Sequence, residues 1–404
     1  MTRVKKPQKT FITLLLSALV MFQGKATFRN LSRYSTSSEK RFSRWFRRTF
    51  DFVVLNWLTL SGVLSSTNGW IAALDASFVS KSGSKTEGLG MFYNGCAGRA
   101  EQGLEISLLS LVNLSSNTAY ALDAQQTLDM EGKTRTDLYA EQVEKLAGQL
   151  LKKGIKHLAA DAYYYKQKFV TPVVEKGLHV VSKLRNDAYL RWAHTDAYSG
   201  SGRPKVYDGQ VDFKKELHRF EFVGKLDSDE EIYTARVHSR CLKRWIKVIM
   251  LRIPRGDKMG MVLLFSTDTE LDAMTIIRYY KARFQIEFVF RDAKQYTGLT
   301  DCQSRSKDAI HTHINASLTA LNLLKLADAK QKNTTAQTVI SIASWKRRKY
   351  NEHLMCRVFD ELGLSLNDEK VIGTYRRLGS YGLSLRKSVR SIVLLYISDN
   401  DFDE

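Results

Sequence analysis

Cysteine is scarce and scattered. The 404 residues hold four, Cys96, Cys241, Cys302 and Cys356, and no two form a Cys-x-x-Cys pair. That argues against a zinc ribbon and a disulfide framework, and it suits a reducing compartment. His311 and His313 stand two apart with Cys302 nearby. Two apart is a poor metal spacing on a helix, so helix packing or a phosphate contact is the better reading. Long apolar runs are missing too. The stretch from Phe11 to Phe22 follows basic residues and precedes small ones, as in a secretory leader. It is too short to cross a bilayer, Gly24 ends it, and an Arg-rich segment follows. A buried core helix is expected there, and no other stretch is a candidate membrane span. Acids are nearly absent from residues 1–50, where twelve Lys and Arg face Glu39 alone. There is no internal repeat and no low-complexity run.

What is present reads as a globular chain of two or three domains, with 44% hydrophobic and 26% charged residues. The net charge of +20 and the pI near 9.6 point to a polyanionic partner, nucleic acid above all. A solubilising surface bias is the plainer alternative.

Residues 1–62 read as a small all-helical N-terminal domain, in which Ser37 or Ser38 caps the last helix. Phe42, Trp45, Phe46 and Phe50 recur at helical spacing, and Arg41, Arg44, Arg47 and Arg48 take the other faces. A helix, a turn and an Arg-rich helix suit helix-turn-helix DNA binding. An amphipathic helix with solvated arginines fits as well. Residues 63–330 follow the order β-β-β-α-β-α-β and then a helical stretch, which predicts an α/β domain with a mixed sheet and helices. Within it, about 186–269 alternates like antiparallel strands and forms an insertion. Residues 331–404, with the basic "WKRRKY", read as helical and irregular with a frayed acidic end.

The segment "RYYKARFQIEFVFRDAK" at 278–294 carries the chemistry. It reads as part of one helix beginning near Asp272. At about 100° per residue, Tyr280, Arg283, Glu287, Arg291 and Lys294 fall within roughly 80° of one another, while Ile286, Val289 and Phe290 face a core. Asp75 and Asp161 end predicted neighbouring strands. Three converging carboxylates can hold two divalent cations through hard oxygen ligands, and two such ions support in-line phosphoryl displacement. A solvated face laced by i,i+4 ion pairs is the other reading of the stripe.

Tyr280-x2-Arg283-x3-Glu287-x6-Lys294 resembles the Y-R-E-K motif of bacterial insertion-sequence DDE transposases, the IS-four family. "ALDAS" at 73–77 and "LAADAYY" at 158–164 resemble that family's two aspartate strands, and "HVVSKLRND" and "GRPKVYDG" resemble the sequence after the second. The resemblance covers roughly residues 25–330. It implies an RNase H-like fold, with Asp75, Asp161 and Glu287 as a catalytic triad binding two Mg²⁺, for which Mn²⁺ can substitute. Arg283 and Lys294 resemble the family's DNA-backbone contacts and Tyr280 its phosphate-contacting tyrosine; Arg291 shares the stripe outside the motif. A tryptophan of the insertion stacks on a flipped base in relatives, but neither Trp192 nor Trp245 has a motif that fixes the match. The expected function is a transposase of cut-and-paste type that cuts and joins double-stranded DNA at an element's terminal inverted repeats and a target. It would work as a homodimer on DNA in the bacterial cytoplasm, at the nucleoid and without membrane attachment. The alternatives are a metal-dependent nuclease without strand transfer and an inactive DNA-binding relative.

Overall fold

A computed structural model describes residues 5–64, 69–195, 203–226, 229–256, 258–334, 337–339, 341–365, 367–378 and 383–385. In chain order, four helices come first: α1 (Lys6–Met21), α2 (Phe28–Ser32), α3 (Glu39–Phe46) and α4 (Phe52–Leu60). Four strands follow, β1 (Trp70–Ser80), β2 (Gly90–Asn94), β3 (Arg99–Asn113) and β4 (Thr118–Gln126). Next come α5 (Arg135–Lys152), β5 (His157–Ala159), α6 (Gln167–Glu175) and β6 (His179–Lys183). Six strands then run in succession: β7 (Leu190–Ala193), β8 (Tyr207–Gln210), β9 (Glu221–Lys225), β10 (Glu231–Ser239), β11 (Arg244–Arg255) and β12 (Lys258–Ser266). Helices α7 (Ala273–Ala282), α8 (Gln285–Tyr296), α9 (Lys307–Thr334), α10 (Ile342–Glu361) and α11 (Glu369–Leu378) complete the chain's main elements. The described residues form two compact units. One holds 61–290 and 305–307, the other 1–60, 291–304 and 308–404.

The first unit is built on one mixed sheet. Its centre runs β4-β3-β1-β5-β6, with β4, β3 and β1 antiparallel and β1, β5 and β6 parallel. Helices α5 and α6 pack together beside β3 and β6. This mixed α/β architecture is consistent with the RNase H-like expectation. Four strands precede α5, one more than the order β-β-β-α-β-α-β counts and within the three or four that the segments allow. The extra one exists because "NLSSNT" makes a tight turn: Asn113 Oδ1 accepts the N–H groups of Ser115 and Ser116, and Asn117 takes φ +48°. Strands β7–β12 occupy the region expected to be antiparallel. They continue the same sheet, because β12 pairs with β6 through Leu264↔Lys183 to Ser266↔Val181. Helix α7 lies on this joint, burying Ile276 and Ile277 against Val181, Ile249 and Leu264.

The expected single helix through 278–294 is two helices. Asp272 caps α7 by accepting the Thr275 N–H at 2.8 Å. The chain then tightens at Arg283–Phe284, where Ile286 N–H bonds to the Arg283 carbonyl and Glu287 N–H to that of Phe284. These are i→i+3 bonds of the 3₁₀ kind, and α8 begins just after Phe284. Neither Gly nor Pro marks the break. The expected Arg-rich last helix of the N-terminal segment also splits, into α3 and α4. Ser38 sits at the N-cap of α3 without a side-chain bond, and Asp51 Oδ1 takes the Val54 N–H at the start of α4.

The second unit is almost wholly helical, with one short pair, Gln337–Val339 against Leu383–Leu385. Residues 1–60 share its core and do not stand apart: Phe11, Leu15, Leu19, Phe42 and Phe46 pack with Ala309, Ala316 and Ala320 of α9. The boundaries are thus drawn differently from the expected 1–62, 63–330 and 331–404, with 291–304 and 308–330 joining the helical unit. The leader-like stretch is α1, and its apolar face is buried there. No described helix is long and apolar enough to cross a membrane. The acidic end "SDNDFDE" lies outside the described residues.

Asn56 fastens α4 to α9. Its buried Oδ1 accepts from Thr319 Oγ1 at 3.0 Å and from Asn322 Nδ2 at 3.2 Å. Leucine there would leave both donors buried without this acceptor, at about 1–3 kcal/mol per group. Asn56→Leu should therefore lower stability by about 2 kcal/mol in urea unfolding; a change under about 0.5 kcal/mol would show that the network contributes nothing.

Candidate active site

Sheet register brings the two aspartates together. The parallel pairing of β1 with β5 has two rungs, Ala72↔Leu158 and Ala73↔Ala159. Asp75 and Asp161 each lie two residues beyond the second rung, and residues two apart in extended chain share a face. Asp75 was expected at a strand end. It sits mid-strand instead, but β5 has already stopped, and the run of buried residues from Trp70 to Leu74 gives way to half-buried ones at Asp75–Phe78. The carboxylate therefore faces an opening on one side while β1 stays anchored to β3 on the other. Asp161 follows β5 in extended backbone, and its Oδ1 accepts the Tyr163 N–H at 2.8 Å. Ser182 Oγ donates to its carbonyl at 2.7 Å, tying this corner to β6.

Arg283 joins Asp75 to Glu287. Its Nη1 donates to Asp75 Oδ2 at 2.9 Å and its Nη2 to Glu287 Oε1 at 3.1 Å. The Arg283 side chain is 13% exposed, Asp75 19% and Glu287 44%. Tyr280, half-buried on α7, holds its ring centroid 5.9 Å from the guanidinium. Glu287 lies in the first turn of α8, where the helix dipole favours an anion.

The electrostatics record the convergence. Burial pushes the Asp75 carboxyl up to about 6; Arg283 opposes this, while Asp161 and, more weakly, Glu287 add to it. Burial works against the charge of Arg283, yet Asp75, Tyr280, Glu287 and Asp161 together hold it above its ordinary range. Burial also raises the Tyr280 phenol, with Arg283 opposing and the two aspartates adding. The arrangement thus places two carboxylates on one cation, with Asp161 acting on it electrostatically. Among the described residues, no three His, Cys, Asp or Glu side chains stand close enough together to hold a metal ion as they are. The donor chemistry suits Mg²⁺, and a guanidinium bridges two of the three acids.

Sequence reasoning missed two tyrosines here. Tyr164, fully buried, feels Asp75 and Asp161, and burial drives its phenol far up. Tyr163 is 45% exposed beside Asp161, with Lys166 Nζ 3.4 Å above its ring. The run of tyrosines after the second aspartate was their only signal.

The other expected DNA contacts are in the helical unit. Arg291 is exposed on α8, and its Nε and Nη2 donate to Asp292 Oδ1 at 3.0 and 2.9 Å. Lys294 is half-buried in the last turn. Glu287, Arg291 and Lys294 keep their helical spacing, but Tyr280 and Arg283 belong to α7 and its cap, so the five do not share one helix. Arg44, Arg47 and Arg48 are exposed and Arg41 half-exposed; Arg48 lies 4.5 Å over the Trp45 ring. Lys346 of "WKRRKY" is buried. It donates to the carbonyl of Tyr296, the last residue of α8, and burial pushes it down to about 7 against the pull of Asp301.

With this geometry in view, the family relationship is decisive. The family model described as a transposase DDE domain matches residues 69–323, well over half of the chain. The chain belongs to that family. No curated protein matches it.

The raised Asp75 pKa has a definite sign. The folded state binds this proton more readily than the unfolded chain between about pH 4 and 6. Its ionisation therefore costs stability that is fully lost above pH 6 and recovered on acidification. In metal-free buffer the stability of Asp75→Asn relative to wild type should rise by roughly 2 kcal/mol from pH 4 to pH 7. A difference that stays flat with pH would remove Asp75 from the coupled cluster.

Proposed function

We propose that the protein is a DNA transposase of the Y-R-E-K group, cutting and joining DNA at the ends of an insertion sequence by a cut-and-paste route. One observation carries this reading: in a chain of the DDE family, Arg283 bridges Asp75 and Glu287, and Asp161 stands, like Asp75, two residues past the last β1–β5 rung. The residues that would hold two Mg²⁺, or Mn²⁺ in their place, are these three acids. When bound, such ions neutralise charge on the phosphoryl group in transit. Asp161 offers its carboxylate from a backbone-anchored corner, and Asp75 reaches the same face from β1. Arg283 and Tyr280 supply a cation and a phenol beside the acids to orient the scissile phosphate. Lys294 and Arg291 would contact the DNA backbone.

The partners are double-stranded DNA, as terminal inverted repeats and target, and a second copy of the chain in the DNA complex. The arginines of α3 and the residues after it would supply further phosphate contacts. Their exposure and the charge of residues 1–50 support this role.

Asp75→Ala, Asp161→Ala and Glu287→Ala should each reduce cleavage of an element end by at least about a thousandfold while DNA binding persists. Each loses a metal ligand, and positioning of the reacting groups is worth orders of magnitude. Cleavage surviving in one variant would remove that residue from the site. A labelled 3′-OH end should become joined to target DNA in wild type; cleavage without joining would favour a nuclease of the same fold.

Changing Arg41, Arg44, Arg47 and Arg48 together to Gln should flatten the salt dependence of end binding. The slope of log K against log salt should fall by roughly 0.9 for each phosphate that an arginine no longer neutralises. An unchanged slope would show that these arginines do not meet DNA.

A further inference from the structure

Arg283 presents a contradiction between its burial and its bonding. A guanidinium usually meets one carboxylate with two parallel bonds. Here the fork is divided, one bond to Asp75 and one to Glu287, and its Nε is buried with no hydrogen-bond partner. An unmet buried donor is unfavourable, so this is a serviceable pose for the arginine and not its best one. The two acids it bridges are candidate ligands for a divalent cation. The third, Asp161, has no ion pair among the described residues and takes only the Tyr163 N–H on its side chain. Three carboxylates against one guanidinium leave an excess of negative charge that a single positive group does not balance.

We propose that Arg283 is an internal counter-ion, holding Asp75 and Glu287 in the metal-free protein and giving them up when a divalent cation binds. The inference rests on the active-site reading above and deepens it. Metal loading and release of the guanidinium then become one exchange. The acids are never left to repel one another across a low-dielectric pocket, which keeps β1 and the start of α8 in place before any metal arrives. The freed guanidinium stays beside the metal ligands, where a phosphate must come, so one side chain serves two kinds of anion in turn. Arg283 is in this sense a positioning residue. It competes for the site that it also preserves.

The test uses the full chain without DNA. Mn²⁺ is titrated calorimetrically into wild type, Arg283→Gln and Arg283→Lys, and thermal unfolding is followed in EDTA and in saturating Mn²⁺. Removing an opposite charge in direct contact with the ligands should tighten Mn²⁺ binding by about tenfold or more in Arg283→Gln. Arg283→Lys, still cationic but unable to divide a fork between two acids, should fall between the two. In EDTA, Arg283→Gln should melt below wild type, and Mn²⁺ should narrow that gap. A damaged fold lowers affinity, and only loss of a competing cation raises it, so disruption of the structure cannot imitate the expected result. Unchanged or weaker Mn²⁺ binding in both variants, with wild type binding normally, would overturn the exchange and leave the transposase reading untouched. Absence of Mn²⁺ binding by wild type would overturn the metal-dependent reading itself, and the exchange with it.

Discussion

Two rungs of parallel pairing, Ala72 with Leu158 and Ala73 with Ala159, set the terms for everything around the acids. All four of these residues are fully buried. The pairing then stops, and β1 alone continues beside β3. Past that point β1 is held by β3 alone, so the backbone of Asp75 stays fixed while its largely buried side chain is turned toward Arg283. Slipping this register by one residue would turn one of the two aspartates to the opposite face. The same point of the sheet therefore decides both where the core ends and where the chemistry begins.

Like charges brought together in this way need company. Desolvation and the neighbouring acids disfavour ionisation of Asp75, while Arg283 acts the other way. Helix α7 makes that possible. It is clamped to the joint between β6 and β12 by Ile276 and Ile277, and it ends where Arg283 must turn toward β1. Arg283 and Glu287 are an i,i+4 pair. The other arm of the guanidinium reaches Asp75 on β1, which makes this i,i+4 pair a bridge between helix and sheet.

Much of this was legible beforehand, for local reasons. The acids stood beside apolar runs of strand type, and the 3.6-residue period of 285–294 was strong enough to mark α8. The antiparallel texture of the insertion showed in its alternation. What escaped notice depended on contacts distant in sequence. Arg283 and Asp75 are 208 positions apart, so a helical stripe of cations could not reveal that one of them faces an acid on β1. The break at Arg283–Phe284 carries no glycine or proline to announce it. The shared core of residues 1–60 with α9 depends on Ala309, Ala316 and Ala320, whose small side chains look like generic helix positions until something packs on them. Tyr164 reads as one aromatic among several, and only its full burial and its electrostatic coupling to both aspartates distinguish it.

The joint between β6 and β12 also imposes an order of events on synthesis. A chain made from its N-terminus completes β1 to β6 well before β12 exists, so β6 waits with an open edge while seventy-odd residues emerge. Pairing across such a separation is slow compared with local hairpins, and β7 to β11 can form among themselves in the meantime. Only after β12 docks is there a surface for α7, and only after α7 does Glu287 arrive. The two aspartates are thus made long before the third acid can meet them. A nascent chain on the ribosome, close to its own messenger and to other nucleic acid, carries an incomplete set of acids until the whole insertion has folded.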